Sequence, residues 1–581
     1  MGLPQASQIL TPAPGEKVKE RLYIGLLLAI VVFAYGNTLV NAFTMDDIAL
    51  YVVRNTQVTH PSLPALFAPH QATNVFRPVT FSTFALDWKL GGGRPFLFHL
   101  VNLVLHAAVT WLLYLLLQTV LRSSPDGKPD GKTVAFACAL LFAVHPIHTE
   151  AVASIVGRAE LLAAGFLLAA WILHLRDREI SALICFVLAL LSKESAVVFL
   201  PLAAIGDYAS GKWKPASRYL RIAGLTLLYL GVLWKVQGGH FGMADIQRLN
   251  NPLATIPTGW RILNALRVAW KYVGLQFYPA TLSCDYSFNQ IPVYLDWRHT
   301  LPAAIAAVAA VGGWTWAIWK RRYAVVLAGA IYLAGFCTTA NILVPIGTIM
   351  GERLAYLPSA GFCLLIALAW NWLQARQRKL ALLALAVFVA VLGARTVVRN
   401  RDWKDNLTLY SAAVRAVPRS AKMHEALGAT YVELGQLDLA RKELQIALSI
   451  EPDFPYALEA YGLVESWKHN YQAAGPLLEK AFHLSRRDDP NYDDMAVNLA
   501  AVYLQTDQAS KALDLLNREI SEAPGYARAW SNRAVLRYKG RETALARADA
   551  ETALRLDPSN KQAQNLMQLL NTSSPSNVLT K

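Results

Sequence analysis

Charge is scarce in this sequence. Of 581 residues, only 16% are Asp, Glu, Lys or Arg, where a soluble globular chain carries about 25%. That shortage excludes an ordinary water-soluble enzyme over the whole length. Cysteine is scarce as well. Four of the five, Cys138, Cys185, Cys337 and Cys363, fall inside apolar stretches, and Cys284 alone has a loop-like setting. No disulfide framework follows from them, and they leave the redox compartment open. Zinc-finger spacings and basic aromatic platforms are missing too, so the net charge of +15 does not point to nucleic acid. The basic residues sit instead in loops between apolar segments, as they do in membrane proteins.

What the chain has is long apolar runs. Hydrophobic residues make up 54% of it and are concentrated between residues 22 and 398, whereas residues 399–581 are polar and rich in Ala and Leu. One region belongs in lipid and one in water. A spanning helix needs about 20 mostly apolar residues. Spans are expected near 22–40, 97–121, 133–149, 154–174, 180–192, 195–206, 219–236, 301–319, 324–344, 354–373 and 380–398, about 11 in all. The segments 180–192 and 195–206 are short enough to be half-spanning helices around a break at Ser192-Lys193-Glu194. The first run, from Leu22 to about Val40, is too long for a signal-peptide core and is read as a retained span.

Positive loops mark the cytoplasmic side. With residues 1–21 inside, the inside turns carry Arg122, Lys128 and Lys132; Arg176 and Arg178; Lys212, Lys214, Arg218 and Arg221; Lys320, Arg321 and Arg322; and Arg376, Arg378 and Lys379. Segments 41–96 and 237–300 are then outer loops. Eleven spans put the C-terminal region outside, in a periplasm or lumen.

After residue 420 a 34-residue period appears. Leu427, Gly428, Tyr431, Ala440, Leu444, Ala447 and Pro452 stand at tetratricopeptide offsets. Tyr461, Gly462, Ala474, Leu478 and Ala481 repeat the pattern, then Leu499, Tyr503, Ala512, Leu516 and Pro524, then Trp530, Ala546, Ala550, Ala553 and Pro558. About four repeats over 421–570, a half repeat over 404–418 and a tail over 571–581 are expected. Such repeats stack into an α-solenoid with a concave face suited to an extended peptide.

Ionisable groups near lipid are functional candidates by default. Asp46 and Asp47 follow the first span; adjacent carboxylates repel, and burial raises a carboxyl pKa further, so one of them suits a general base. Arg77 shares that loop. His99, Asn102 and His106 line one face of the second span by their spacing. His145, His148 and Glu150 could hold a metal or hydrogen-bond each other; no fourth ligand is evident and no metal is assigned. Arg158 and Glu160 come next. Lys193 is a point charge for phosphate, with Glu194 as its counter-ion. Arg353, after Gly351 and Glu352, has the planar fork that suits phosphate oxygens. Carboxylates and cations at one membrane face fit sugar transfer from a lipid-linked phosphate donor, although these residues alone do not separate that from a transporter.

In order along the chain, Asp46-Asp47, Phe76-Arg77-Pro78-Val79-Thr80, Phe98-His99-Leu100-Val101-Asn102, Leu141 to Glu150, Gly157 to Leu162, Leu191-Ser192-Lys193-Glu194, Cys284-Asp285-Tyr286-Ser287, Gly351 to Ser359 and Arg399-Asn400-Arg401-Asp402-Trp403, followed by the repeats, resemble the transmembrane and tetratricopeptide-repeat family. The resemblance covers about residues 22–560. It implies an all-α, GT-C-like membrane domain over 22–398 and an inverting transferase that uses a polyprenyl-phosphate sugar. In animal members the donor is dolichyl-phosphate mannose and the acceptor a Ser or Thr hydroxyl. Asp46 and Asp47 match the catalytic acidic pair, with Asp46 favoured as base. Arg77, His99, His145, His148, Glu150, Arg158, Lys193, Glu194 and Arg353 would line the site. The array is short for the family, which suggests a bacterial relative in an inner membrane rather than the endoplasmic reticulum, with its repeats on the periplasmic or lumenal side. Its expected partners are membrane lipid, the lipid-linked sugar phosphate (no other cofactor is assigned) and a protein acceptor held by the repeats. A glycolipid or polysaccharide acceptor is an alternative, and a non-catalytic membrane scaffold a second.

Overall fold

The structure, a computed structural model, describes residues 14–70, 73–125, 131–239, 246–489 and 491–572. Much of the expected N-terminal segment 1–21, nearly all of the tail 571–581, and Lys128 lie outside those residues. The described residues contain helices and no strand, and the chain forms two units, 1–417 and 418–581.

The first unit begins with α1 (Pro14–Tyr35), then a short 3-10 turn and a five-residue π-helix, Asp47–Tyr51. The short helices α2 (Thr56–Thr59) and α3 (Leu63–Leu66) and the longer α4 (Pro78–Gly91) fill the first outer loop. Pro78 starts α4, and Gly92, at φ +60°, ends it in the left-handed conformation glycine tolerates best. There follow α5 (Pro95–Ser123), α6 (Gly131–Val144), the small α7 (Thr149–Ala153), α8 (Arg158–Leu175), α9 (Glu179–Ser192), α10 (Phe199–Ser210) and α11 (Ala216–Val236). Next come α12 (Thr258–Phe277), α13 (Trp297–Trp319), α14 (Tyr323–Cys337), α15 (Tyr356–Gln374), α16 (Arg378–Asp402) and α17 (Asn406–Ala416).

Seven of these helical segments are long and apolar enough to cross a membrane. An eighth crossing is possible if α6 and the segment Pro146–Ala153, bent by 53°, count as one broken span. Two more, α9 and α14, are apolar but shorter, and α10 has only 12 residues. Each of the eleven expected spans thus falls on a helix, while the number able to span unaided is smaller. Helix α12 was not expected. It lies inside outer loop 237–300 and buries Asn264, Ala265, Val268, Tyr272 and Gln276, spaced three to four apart, while Trp270 and Phe277 stay exposed. A search for uniformly apolar runs passes over such an amphipathic helix.

Because α1, α5, α6, α8, α9, α10, α11, α13, α14, α15 and α16 run alternately up and down, the connections sort into two ends. Among the described residues, one end gathers 41–70, 73–94, 145–157, 193–198, 237–239, 246–296, 338–355 and 403–405. The other gathers 124–125 and the short turns 176–178, 211–215, 320–322 and 375–377, which are the basic ones. Contacts within each group agree: Ala42 N–H reaches Lys404 O at 2.9 Å at the first end, and Lys214 reaches Asp177 at 2.9 Å at the second. The core between them is apolar, with Leu113, Leu117, Ala135, Ala139, Phe142 and Leu364 buried.

The second unit is four antiparallel helix pairs and a capping helix: α18 (Ala421–Glu433) with α19 (Leu437–Ile450), α20 (Pro455–Trp467) with α21 (Tyr471–Leu484), α22 (Tyr492–Gln505) with α23 (Ala509–Glu522), α24 (Ala527–Lys539) with α25 (Thr543–Leu556), then α26 (Lys561–Thr572). The residue expected to be small is small because the partner helix leaves no room. A Cβ on Gly428 would stand 2.7 Å from Leu444 Cγ, and one on Gly462 2.7 Å from Leu478 Cγ. The segment expected as a half repeat is the single helix α17, which falls in the first unit rather than the second.

Candidate active site

The candidate residues gather at the end away from the basic turns. Met45 takes φ +50°, a left-handed conformation rare for a residue with a side chain, and turns the chain so that Asp46 and Asp47 diverge. Asp47 is fully buried. Its Oδ2 accepts from Thr44 N–H at 3.1 Å and its Oδ1 from Val156 N–H at 3.0 Å. Burial pushes its carboxyl up to about 7, against the pull of those N–H donors, and the Asp46 charge adds a smaller push. Asp46 is half-buried, and its side chain makes no hydrogen bond among the described residues. It lies within electrostatic reach of Tyr51 and Arg353. The two acids therefore differ in kind: Asp47 staples the first outer loop to the start of α8, and Asp46 presents a free carboxylate.

Three ion pairs gather at the same end, and Asp46 is within electrostatic reach of one of them, through Arg353. Arg77, kept out of the helical region by the proline that follows it (φ −139°, ψ 61°), forks onto Glu194 with Nε–Oε2 at 3.1 Å and Nη2–Oε1 at 2.7 Å. Lys193 pairs with Glu160, and Arg353 with Glu150, whose Oε2 also accepts the Arg353 backbone N–H at 2.9 Å. Glu160 lies within electrostatic reach of Arg77 and Arg353 as well as Lys193, so the pairs form one cluster. The expected partnership of Lys193 with Glu194 is corrected here. Lys193 is extended, φ −160° and ψ 138°, and successive side chains on extended backbone point opposite ways. Glu194 therefore turns to α4 and Lys193 to α8.

The structure draws other expected residues away from the cleft. Arg158 is fully buried and spends its guanidinium on Asp87 at 2.6 Å, Asn102 Oδ1 at 2.9 Å and Phe98 O at 2.9 Å, over the Phe84 ring at 4.8 Å. An arginine with that many partners fastens α4, α5 and α8 together and does not line a site. Gly157, just before it, is required by space: a Cβ there would fall 2.3 Å from Ala151 O. His145 accepts from Ile147 N–H at 3.2 Å and donates through Nε2 to Gln276 O at 3.0 Å. His148 Nε2 meets Ser359 Oγ at 2.6 Å, and His106 Nδ1 meets Tyr356 Oη at 2.7 Å. With Phe142 these rings form a buried aromatic knot. His99 is buried with neither ring nitrogen in hydrogen-bond geometry. Among the described residues no three His, Cys, Asp or Glu side chains are grouped so as to hold a metal.

Sequence reasoning passed over Glu160 and Glu352 as site residues although both stand in the motifs. Glu352 is buried and accepts from Ser283 N–H at 2.6 Å and Tyr286 Oη–H at 2.7 Å. The turn Gly351-Glu352-Arg353 thus grips the Cys284-Asp285-Tyr286 loop with one side chain and Glu150 with the next. A carboxylate one or two residues from an arginine, as in Glu352-Arg353 and Arg158-Ala159-Glu160, was the available signal.

With this geometry in view, the relatives can be set beside it. A family model for a tetratricopeptide repeat matches residues 468–536. The chain is 30% identical over 446 residues to Protein O-mannosyl-transferase F38B6.6 of Caenorhabditis elegans, covering 74% of this chain and 63% of that protein. It is 27% identical over 603 residues to Protein O-mannosyl-transferase TMTC3 of Homo sapiens, covering 92% of this chain and 64% of that protein. The chain therefore spans somewhat less than two thirds of the length of these relatives. A solved structure, YrrB, described as a tetratricopeptide-repeat protein with an unusual peptide-binding site, is similar at 16% identity and a TM-score of 0.25, over 34% of this chain and 98% of its own. Relatives along nearly the whole chain, a bundle of membrane-spanning helices and a tetratricopeptide unit place this protein in the TMTC-like family.

Proposed function

We propose that the protein is a GT-C-type glycosyltransferase that moves a sugar, mannose by the names of its relatives, from a polyprenyl-phosphate donor to Ser or Thr hydroxyls of protein. The observation that carries this reading is Asp46: a carboxylate without a protein partner, half-open beside Arg353, in a cluster that also holds Arg77 and Lys193. Asp46 takes the proton of the acceptor hydroxyl as its oxygen attacks the anomeric carbon from the face opposite the leaving group. The bond from that carbon to the donor's phosphate oxygen breaks, and its electron pair leaves on the polyprenyl phosphate. Configuration inverts. Arg353, whose side chain is 34% exposed and the most open of the three cations, receives the phosphate charge, while Lys193 and Arg77 keep the local field positive. Asp47 holds Asp46 in place through its two backbone bonds.

The cluster lies at the end opposite the basic turns, which by the positive-inside rule puts the reaction on the periplasmic or lumenal side, and the short repeat array favours a bacterial inner membrane. The positive-inside pattern of the loops puts the repeats on that same periplasmic or lumenal side, and on this reading they present the acceptor. Membranes carrying the protein, supplied with labelled polyprenyl-phosphate mannose, test the reading. Wild type should label protein, and Asp46→Asn should lower the rate by about 10²- to 10⁴-fold, the usual contribution of a general base. Label on lipid instead of protein would move the acceptor to a glycolipid. Equal transfer by wild type and Asp46→Asn would remove Asp46 from the chemistry.

A further inference from the structure

At the end of the bundle away from the cleft, the cations keep two kinds of company. Around α9 to α11 acids compensate three of them: Lys214 and Arg218 reach Asp177 at 2.9 and 2.8 Å, and Arg221 pairs with Glu179, while Arg176, Arg178 and Lys212 are exposed and form no ion pair among the described residues. Around α13 to α16 none is compensated. Lys320, Arg321, Arg322, Arg376, Arg378 and Lys379 are all exposed, and none forms an ion pair among the described residues. Two of them rest on tryptophan faces instead, Lys320 over Trp319 at 3.9 Å and Arg376 over Trp372 at 3.8 Å.

Between these uncompensated turns the helices part. A groove of about 880 Å³ opens among α14, α15 and α16, walled by Val325, Leu365, Leu368, Leu373, Leu385 and Phe388. Trp370, also on its wall, already donates its indole N–H to Ala381 O at 2.7 Å. Ordered water needs two to four polar partners and would find none here. Left empty, the walls would forfeit their dispersion contacts. Hydrocarbon fills such a space. Val325 lies three residues past Arg322 and Leu373 three before Arg376, one helical turn from the cations in each case. A basic pocket between membrane helices at the cytoplasmic surface suits an anionic headgroup.

We propose that this groove is a binding site for an anionic diacyl phospholipid, its acyl chain against Leu365, Leu385 and Phe388 and its phosphate against Arg321, Arg322, Arg378 and Lys379. Asp177 and Glu179 have no counterpart at the turns 320–322 and 375–379, which hold no acid at all, so the whole cationic cluster there is left for an external anion. The site lies at the opposite end from the cleft and does not depend on the transfer reaction.

The purified full chain, analysed by native mass spectrometry with phosphatidylglycerol, phosphatidylcholine of the same chains and undecaprenyl phosphate, tests this. Phosphatidylglycerol should be retained about tenfold more than phosphatidylcholine. Arg321→Glu/Arg322→Glu/Arg378→Glu should abolish that preference, Ala369→Trp should lower retention by filling the groove, and Lys214→Glu should leave both unchanged. The wild-type comparison alone decides the matter if the variants fold poorly. Equal retention of the two phospholipids would overturn the proposal. So would an unchanged preference in the triple variant, or undecaprenyl phosphate displacing phosphatidylglycerol, which would make the occupant a polyprenyl lipid.

Discussion

Asp46 and Asp47 are neighbours that the fold makes unlike. The acid whose pKa is raised, Asp47, is the one that nothing can reach, since both its oxygens are committed to backbone N–H groups. Asp47→Asn keeps the shape but offers an amide nitrogen to one of those two donors. That should lower thermal stability, measured in detergent, by about 1–3 kcal/mol, the cost of a buried polar group left without its partner, and reduce transfer only in proportion. Asp46→Asn should leave stability unchanged within about 0.5 kcal/mol and remove transfer. Loss of stability on the Asp46 change instead would reverse the assignment. The sequence showed the acidic pair and the cations but not who meets whom. Glu194 as partner of Lys193 was the natural reading of adjacency, and only the extended backbone at 193 overturns it. Arg158 was misplaced for a similar reason: its anchor, Asp87, lies 71 positions away on α4, and no local pattern links them. Removing that anchor with Asp87→Ala leaves a buried guanidinium uncompensated and should cost about 3–5 kcal/mol. Pairing it with Arg158→Leu should recover most of the loss, and thermal unfolding of the two variants checks this.

Among the elements, the repeats were legible because their determinants are local and periodic. Small residues recur where two helices of one pair touch, so Gly462→Val should force Leu478 aside and cost about 1–3 kcal/mol of overpacking, read as a lower melting transition of the repeat unit. Helix α12 and the bend after Val144 were less legible. The first is amphipathic in a loop, and the second depends on His145 bonding its own neighbour Ile147 and the distant Gln276. The repeat unit also carries a pH dependence. Glu459 on α20 accepts from Asn498 at 2.9 Å, and burial pushes it up to about 7. A carboxyl raised above its unfolded value of about 4.3 stabilises most below that value, and the contribution fades as pH rises through about 7. The repeat unit should therefore melt at a higher temperature at pH 5 than at pH 8. Glu459→Gln should narrow the difference; an equal difference in the variant would place the titration elsewhere.

For the whole molecule, everything about sidedness rests on counting. Eleven apolar helices alternate, yet only seven are long enough to cross unaided. The shorter ones, α6, α9, α10 and α14, cross as a packed group or not at all, and backbone breaks such as Ser192-Lys193-Glu194 are tolerated at membrane depth only when covered by protein. The ion pairs Arg77–Glu194 and Lys193–Glu160 supply that cover, which ties the site residues to the topology: the charges that serve the cleft also close the broken spans. Cysteine labelling measures the outcome. In a chain whose five cysteines are replaced, Leu295→Cys at the cleft end, Gln564→Cys on the repeat unit and Lys379→Cys on a basic turn are exposed to a membrane-impermeant maleimide in intact spheroplasts. The alternation predicts that the first two are labelled at once and the third only after permeabilisation. The opposite pattern would keep the bundle and invert its orientation. Leu295 and Gln564 on opposite sides would mean that one of the short helices turns back inside the membrane, and the repeat unit would then be separated from the cleft it is proposed to serve.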